Sequence, residues 1–415
     1  MHKTWTAVAL ALSAAGLTAA PAVTGVSLHQ HGSCAIVKYS LSESAIVTVD
    51  ILTNGVSVGR HKLQSVSGDV NRMVDAGERM FRWNVASAFP EQSLANVTAE
   101  VTAWAQGMTP SYRVVSLSGD MNVRYYCDSS EIPDGVTNLV YKTEKLVMRR
   151  IPARNVPFRM GNRPRTRPDP SFVAVLTNDF WIGVYELTQR QHELVIGEKR
   201  GCAETLAAAD VDIRPVECIS YSYAVGGQHD EYKRNYQSFG VNSLLKKFQA
   251  KTGLPTLAFP TEAQWEFACR AGSGRDYPGA GLADPSDGAE ISSCVGRYAW
   301  YAGNSGGHTH AVGLKEPNAF GLYDMIGNAQ EIVYDWYDEL KQVTYAGIVI
   351  DPFIAARDTG YGSILRRGAC FRSQVADCKN HKRVYAGAWN LPAYEETTDS
   401  ELMMQSGIRL AAVIW

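Results

Sequence analysis

Between Val23 and Trp104 the chain alternates between hydrophobic and polar residues over short runs. Ala45-Ile46-Val47-Thr48-Val49-Asp50-Ile51 is rich in β-branched residues and partly alternates, which suits a strand with one buried face. Thr53-Asn54-Gly55 follows as a tight turn, and Asn96 to Trp104 repeats the near period-two pattern. Short strands punctuated by turns predict a β-sandwich module over residues 23–110. Residues 111–150 read as a linker and a first strand, with turns at Asp128-Ser129-Ser130 and Pro133-Asp134-Gly135. Beyond 151 the pattern changes. A helix is predicted from Thr261 to Arg270, where Thr261 and Gln264 form a capping box and Ala271-Gly272 ends the run. Thr188 and Gln191 form a second capping box, and a third helix from about Ser243 to Lys251 stops at Gly253. The rest of 151–415 is rich in Gly, Asn, Asp, Trp and Tyr, so the expected class is α+β with many loops.

The N-terminus has a different character. Lys3 precedes an apolar run from Ala7 to Leu17, and Ala19, Ala20 and Ala22 then offer small residues for cleavage before Val23. Residues 1–22 therefore read as a signal peptide, with a buried first strand or an uncleaved anchor as the alternative. No other segment approaches the roughly 20 consecutive apolar residues of a membrane span. The expected location is secreted or periplasmic. The eight cysteines fit that setting, where disulfides persist, and none has the CxxC spacing of a structural zinc site. A formal net charge of −2 argues against a nucleic-acid partner, which needs a concentrated basic surface. Arg163-Pro164-Arg165-Thr166-Arg167-Pro168 is the densest basic stretch, but it is short, broken by proline and best read as a solvated loop.

Val37 to Ser44, followed by Ala76-Gly77 and Trp83, resembles the small immunoglobulin-like modules that precede larger domains in exported bacterial proteins. The second domain carries a more specific resemblance. Phe158-Arg159-Met160-Gly161, Phe180 to Thr188, and Arg214-Pro215-Val216-Glu217-Cys218-Ile219-Ser220 occur in order. Phe259-Pro260-Thr261-Glu262-Ala263-Gln264-Trp265-Glu266-Phe267-Ala268 resembles an LPTEAEWEYA segment, and Pro317 to Glu331 resembles PNxFGLYDMxGNVWEW. Arg367-Gly368-Ala369-Cys370-Phe371 stands where RGGSW is usual, and Gly407-Ile408-Arg409 where GFR is. These blocks resemble the formylglycine-generating-enzyme, or sulfatase-modifying-factor, family. The resemblance implies a fold distantly like C-type lectins, shared by oxidases and by exported proteins of no established chemistry, so the fold does not settle activity.

In the family's oxidases two cysteines hold one copper ion, and oxygen converts a cysteine in a CxPxR segment of a sulfatase to formylglycine. Soft thiolates at short spacing favour Cu(I). Against that GGSxxCxxxxC pattern this chain reads Gly368-Ala369-Cys370-Phe371-Arg372-Ser373-Gln374-Val375-Ala376-Asp377-Cys378. Cys370 replaces the serine, Ser373 stands at the first copper cysteine, and Cys378 matches the second. Cys370 and Cys378 are the candidate catalytic thiols. Their readings are a structural disulfide, with each other or with other partners, or a relocated copper site. The family's tryptophan in GNxWEW is Gln330 here. The resemblance also implies a structural calcium site from the Asp324 side chain, the carbonyls of Gly327 and Ala329, and the Glu331 carboxylate. Oxygen ligands on a tight glycine loop suit Ca²⁺; without metal the same acids would cap turns.

His308-Thr309-His310 would share one face of a strand but lacks a third ligand. His229 to Arg234 reads as a solvated insertion. Trp300, Tyr301, Trp336, Tyr337, Tyr385 and Trp389 suit either a ligand groove or core packing. The expectation is a calcium-stabilised domain that binds a protein or glycan ligand or performs an unidentified reaction. The alternatives are a divergent copper oxidase and a lectin-like recognition protein.

Overall fold

The computed structural model describes residues 4–5, 8–10, 21–54, 56–58, 66–70, 72–90, 94–105, 110–118, 123–161, 171–226, 240, 242–254, 256–279, 284–337, 347–354, 363–385 and 405–413. The basic stretch 163–168, the insertion 229–234 and Trp389 lie outside them. Contacts divide the chain into two units, one built on Met1–Pro110 and the other on Ser111–Thr252 and Leu257–Ile414.

The first unit has two sheets. One orders the strands Thr4–Trp5, Val23–His31, Cys34–Leu41, Gly77–Asn84 and Val66–Gly68; the other orders Val8–Leu10, Val97–Ala105, Ala45–Thr53 and Val56–Ser57. Alternate residues from both, such as Ala35, Val37, Tyr39, Val47, Ile51, Val97 and Val101, meet in one buried cluster. That is the period-two pattern expressed as a shared core. The Ala45–Thr53 hairpin turns at Asn54, whose φ is 52°. Of the run read as a leader, Thr4–Trp5 and Val8–Leu10 pair at the sheet edges.

The second unit is mixed. Its six-stranded sheet orders Val123–Tyr126, Tyr112–Ser116, Lys145–Ile151, Phe180–Gly183, Ala411–Val413 and Leu257–Ala258. Residues 111–150, read from sequence as a linker and one strand, thus supply two complete strands and most of a third. A four-stranded sheet orders Arg383–Tyr385, Ser363–Arg367, Gln330–Tyr337 and Ser406–Gly407. Both capping boxes form, on helices Gln189–Ile196 and Glu262–Arg270. The third helix spans Leu244–Thr252.

The Glu262–Arg270 helix is buried along most of its length, so its charged residues need internal partners. Glu266 accepts from Gly161 N at 2.8 Å and Arg270 Nε at 2.9 Å, and also from Arg367. Glu262 pairs with Arg383. Trp265 Nε1 donates to Glu331 Oε2 at 2.6 Å, and Arg409 Nε donates to Glu331 Oε1 at 2.8 Å. The segments that look most family-like are therefore joined by one buried set of charges. Among the described residues no helix is long and apolar enough to cross a membrane.

Candidate functional site

The loop 324–329 is shaped by backbone geometry. Asp324 and Asn328 lie at φ 53° and 57°, and Gly327 at φ 83°. A Cβ on Gly327 would stand 2.3 Å from the carbonyl oxygen of Trp300, so only glycine fits there. Upstream, Asn318 donates to the carbonyls of Ala268 and Cys269 at 2.8 and 3.2 Å and accepts from Phe320 N and Leu322 N. It ties the loop to the end of the Glu262–Arg270 helix. Asn328 donates to Glu186 Oε2 at 2.7 Å, while Ala329 N donates to Glu186 Oε1 at 2.9 Å.

Three buried carboxylates, Glu186, Asp324 and Glu331, gather around the guanidinium of Arg409. Arg409 is saturated. Besides Glu331 it donates to the carbonyls of Gly183, Val184, Tyr323 and Asp324. Burial raises all three carboxyl groups; the other acids add to the rise at Glu186, and Asp324 is pushed up to about 6. Lys142 is a second nearby cation, itself pushed down by burial. Of the four residues expected to hold calcium, Asp324 fits best. Its Oδ2 accepts from Gly313 N at 2.7 Å, whereas Oδ1 is buried without a partner. Both oxygens of Glu331 are already engaged by Trp265 and Arg409. Among the described residues no three His, Cys, Asp or Glu side chains converge as a metal set, so a cation here would depend on backbone carbonyls.

Both thiols follow the turn at Gly368, whose φ is 76°. Cys370 and Cys378 are both fully buried and both free. The expected disulfide does not join them: Cys370 Sγ faces Gln405 Oε1 at 2.8 Å and Ser373 Oγ at 3.5 Å, and Cys378 Sγ faces the Gln374 carbonyl at 3.6 Å. The 3-10 turn Val375–Asp377 precedes Cys378 and directs its thiol to that carbonyl. Burial raises the Cys370 thiol, and burial, Asp377 and Cys370 push Cys378 up to about 12. Neither is poised as a thiolate, the form that binds soft metals. Ser373, at the first copper position, offers a hydroxyl and bonds to Cys370 N at 3.0 Å.

The other candidates are absorbed by packing. His310 stacks on Trp300 at 3.8 Å and turns Nε2 to the Ser305 carbonyl at 2.7 Å. His308 turns Nδ1 to its neighbour's carbonyl at 2.9 Å. Tyr337 stacks on Tyr385 at 3.6 Å, and Trp336 packs edge-on against Tyr221. Glu186, Arg409 and Gln405 were not foreseen as site residues. Glu186 and Arg409 lie inside family-like segments, but Gln405 has no local sequence signal.

The match to known proteins follows this geometry. A family model described as "Sulfatase-modifying factor enzyme 1-like domain" matches residues 147–412. The chain belongs to that family. It is 26% identical over 186 residues to the "Chaperone protein LppX" of Paenibacillus barcinonensis, covering 39% of this chain and 64% of that one. It is 31% identical over 137 residues to the formylglycine-generating enzyme of Streptomyces coelicolor, covering 32% and 41%. The chain thus spans less than two thirds of the curated relatives it matches. Among solved structures, Treponema denticola variable protein 1 is 20% identical and aligns over 65% of this chain and 95% of its own, with a TM-score of 0.47. PvdO from Pseudomonas aeruginosa aligns over the same shares at 19% identity, with a TM-score of 0.43.

Proposed function

We propose that this chain is an exported family member in which the domain serves as a calcium-stabilised scaffold for protein or glycan ligands, without copper oxidase chemistry. The observation that carries this reading is the fate of the copper position. Ser373 supplies a hard oxygen donor there, and the thiols of Cys370 and Cys378 are buried, protonated and turned to amide and carbonyl oxygens. A Cu(I) site needs accessible thiolates, and this donor set does not fit one. The lectin-like and immunoglobulin-like readings of the two domains belong to the same proposal.

Calcium is supported from the other side of the site. Asp324 Oδ1 is a buried acceptor without a partner, and three buried acids outnumber the two cations beside them. In the family's arrangement the ligands are Asp324, the carbonyls of Gly327 and Ala329, and Glu331. Here Asp324 supplies the uncommitted oxygen, and Glu331 would share its carboxylate with Arg409. Bound Ca²⁺ would offset the repulsion among buried acids and stiffen the loop; it takes no part in a reaction.

One observation favours a divergent oxidase instead: Cys370 and Ser373 stand within 3.5 Å of each other, a thiol and a hydroxyl with exchanged positions. The test is Cu(I) titration of the reduced protein against a competing chelator. The scaffold reading expects no stoichiometric uptake. Uptake of one Cu(I), lost in Cys378→Ser, would transfer the assignment to the oxidase. Export is checked separately by the N-terminal residue of the mature protein, expected at Val23.

A further inference from the structure

The Cys370 thiol and the Gln405 amide approach each other closely. Sγ lies 2.8 Å from Oε1, whereas Cys202 stands 3.5 Å from Thr205 Oγ1 and 3.7 Å from Glu217 Oε1. Cys378 and Cys269 stand 3.6 and 3.5 Å from their oxygen partners. Sulfur is the larger atom, yet this contact has the length of an ordinary O–H···O hydrogen bond. Whichever amide atom faces the sulfur, the amide carbon is one bond behind it.

Both partners are braced. Cys370 N donates to Ser373 Oγ at 3.0 Å, Arg372 N donates to Cys370 Sγ at 3.4 Å, and the cysteine has no exposed surface. On the amide side, Gln330 N donates to the Gln405 carbonyl at 2.8 Å. Gln330 is 3% exposed, and its side-chain Oε1 is buried without a partner. This spare acceptor belongs to the residue that anchors Gln405. The buried Cys370 thiol is thus held beside the amide of the half-buried Gln405, and holding a nucleophile near an acyl carbon is what converts a slow encounter into an intramolecular reaction.

We propose that Cys370 and Gln405 react with each other to form an intramolecular thioester. Sγ attacks Cδ of Gln405, forming the S–C bond. The Cδ–Nε2 bond breaks, the thiol proton passes to that nitrogen, and ammonia leaves. No electrons are exchanged, so the step needs no oxidant or metal. The sulfur side of the bond is buried, and a primary amine would reach the acyl carbon from the half-buried Gln405 side. The inference does not require calcium, so loss of calcium binding leaves it standing, and the ammonia loss is read separately from copper uptake.

Intact-mass and peptide-map measurements on the full chain, purified without amine buffers or reductant, test it. The expected product is lighter than the encoded mature chain by one ammonia, with Cys370 and Gln405 joined in one cross-linked peptide. Methylamine in denaturant should release a new thiol at Cys370 and leave an N-methylamide at Gln405. Gln405→Glu and Cys370→Ala should both lack the ammonia loss, with thermal melting confirming that at least one of them is folded. A wild-type chain of full mass, with Cys370 alkylated by iodoacetamide and Gln405 intact, would overturn the proposal. So would an ammonia loss that maps to any other residue.

Discussion

At the scale of single residues, the site loop is held by conformations that few side chains tolerate. Gly327 is the sharpest case, because positive φ and the Trp300 carbonyl both exclude a Cβ. Gly327→Ala should destabilise the second unit by at least about 2 kcal/mol in urea unfolding, since left-handed strain and a backbone clash add. An unchanged midpoint would show that the loop does not need this turn. Buried charges follow the same logic. Glu266 satisfies Gly161, Arg270 and Arg367 at once. Glu266→Gln leaves cations without their counter-ion and should cost about 3–5 kcal/mol. The glycine and the acid are both visible in the sequence as parts of family-like segments. Their physical roles are only partly so: Arg270 is one helical turn from Glu266, but Gly161, Arg367 and the Trp300 carbonyl lie farther away in the chain. Gln405 shows the limit most clearly: its neighbour Cys370 is 35 residues away, and nothing local marks the pair.

At the scale of elements, short-range rules were legible and long-range pairing was not. Thr188 and Thr261 each cap a helix whose start can be read from four consecutive residues. Thr261→Ala should cost about 1 kcal/mol by equilibrium unfolding, and no measurable cost would mean that packing alone starts that helix. By contrast, Tyr112–Ser116 and Val123–Tyr126 look like linker because their partners are set by the sheet rather than by neighbours. The helix and its neighbouring strand also carry opposed pH dependences. Burial raises the Glu266 carboxyl, but Arg270 and Arg367 prevail and hold it at about 2, below its ordinary value of 4.5. Its contribution is present above pH 4.5 and is lost as pH falls towards 2. Burial and the charge of Glu262 push Asp335 from 3.8 to about 7. Its contribution is full below 3.8 and is lost as pH rises through 7. Stability measured by urea unfolding should therefore peak in mildly acid solution. Asp335→Asn should flatten the decline between pH 4 and 7; an unchanged slope would remove Asp335 as its source.

At the scale of the whole molecule, the family framework and the family chemistry separate. The segments that identify the family form the buried charge set joining the Glu262–Arg270 helix, the Gly327 loop and the Arg409 strand entry. Those contacts are made without the thiols. Calcium, if it binds as proposed, acts on this framework. Chelation with EGTA should lower the melting temperature by several degrees, and Asp324→Ala should remove that response. A melting curve indifferent to chelator and to added Ca²⁺ would discard the cation. The position that defines the oxidases has meanwhile been rebuilt with a serine, a displaced thiol and a glutamine. The central claim, that this framework carries no copper oxidase, is tested most directly with a peptide containing a CxPxR segment. The reduced protein is supplied with Cu(I), the peptide and oxygen, and the peptide is followed by mass spectrometry. The expected result is an unchanged cysteine and no oxygen consumption above the protein-free control. An aldehyde formed at the peptide cysteine, and lost in Cys378→Ser, would contradict it.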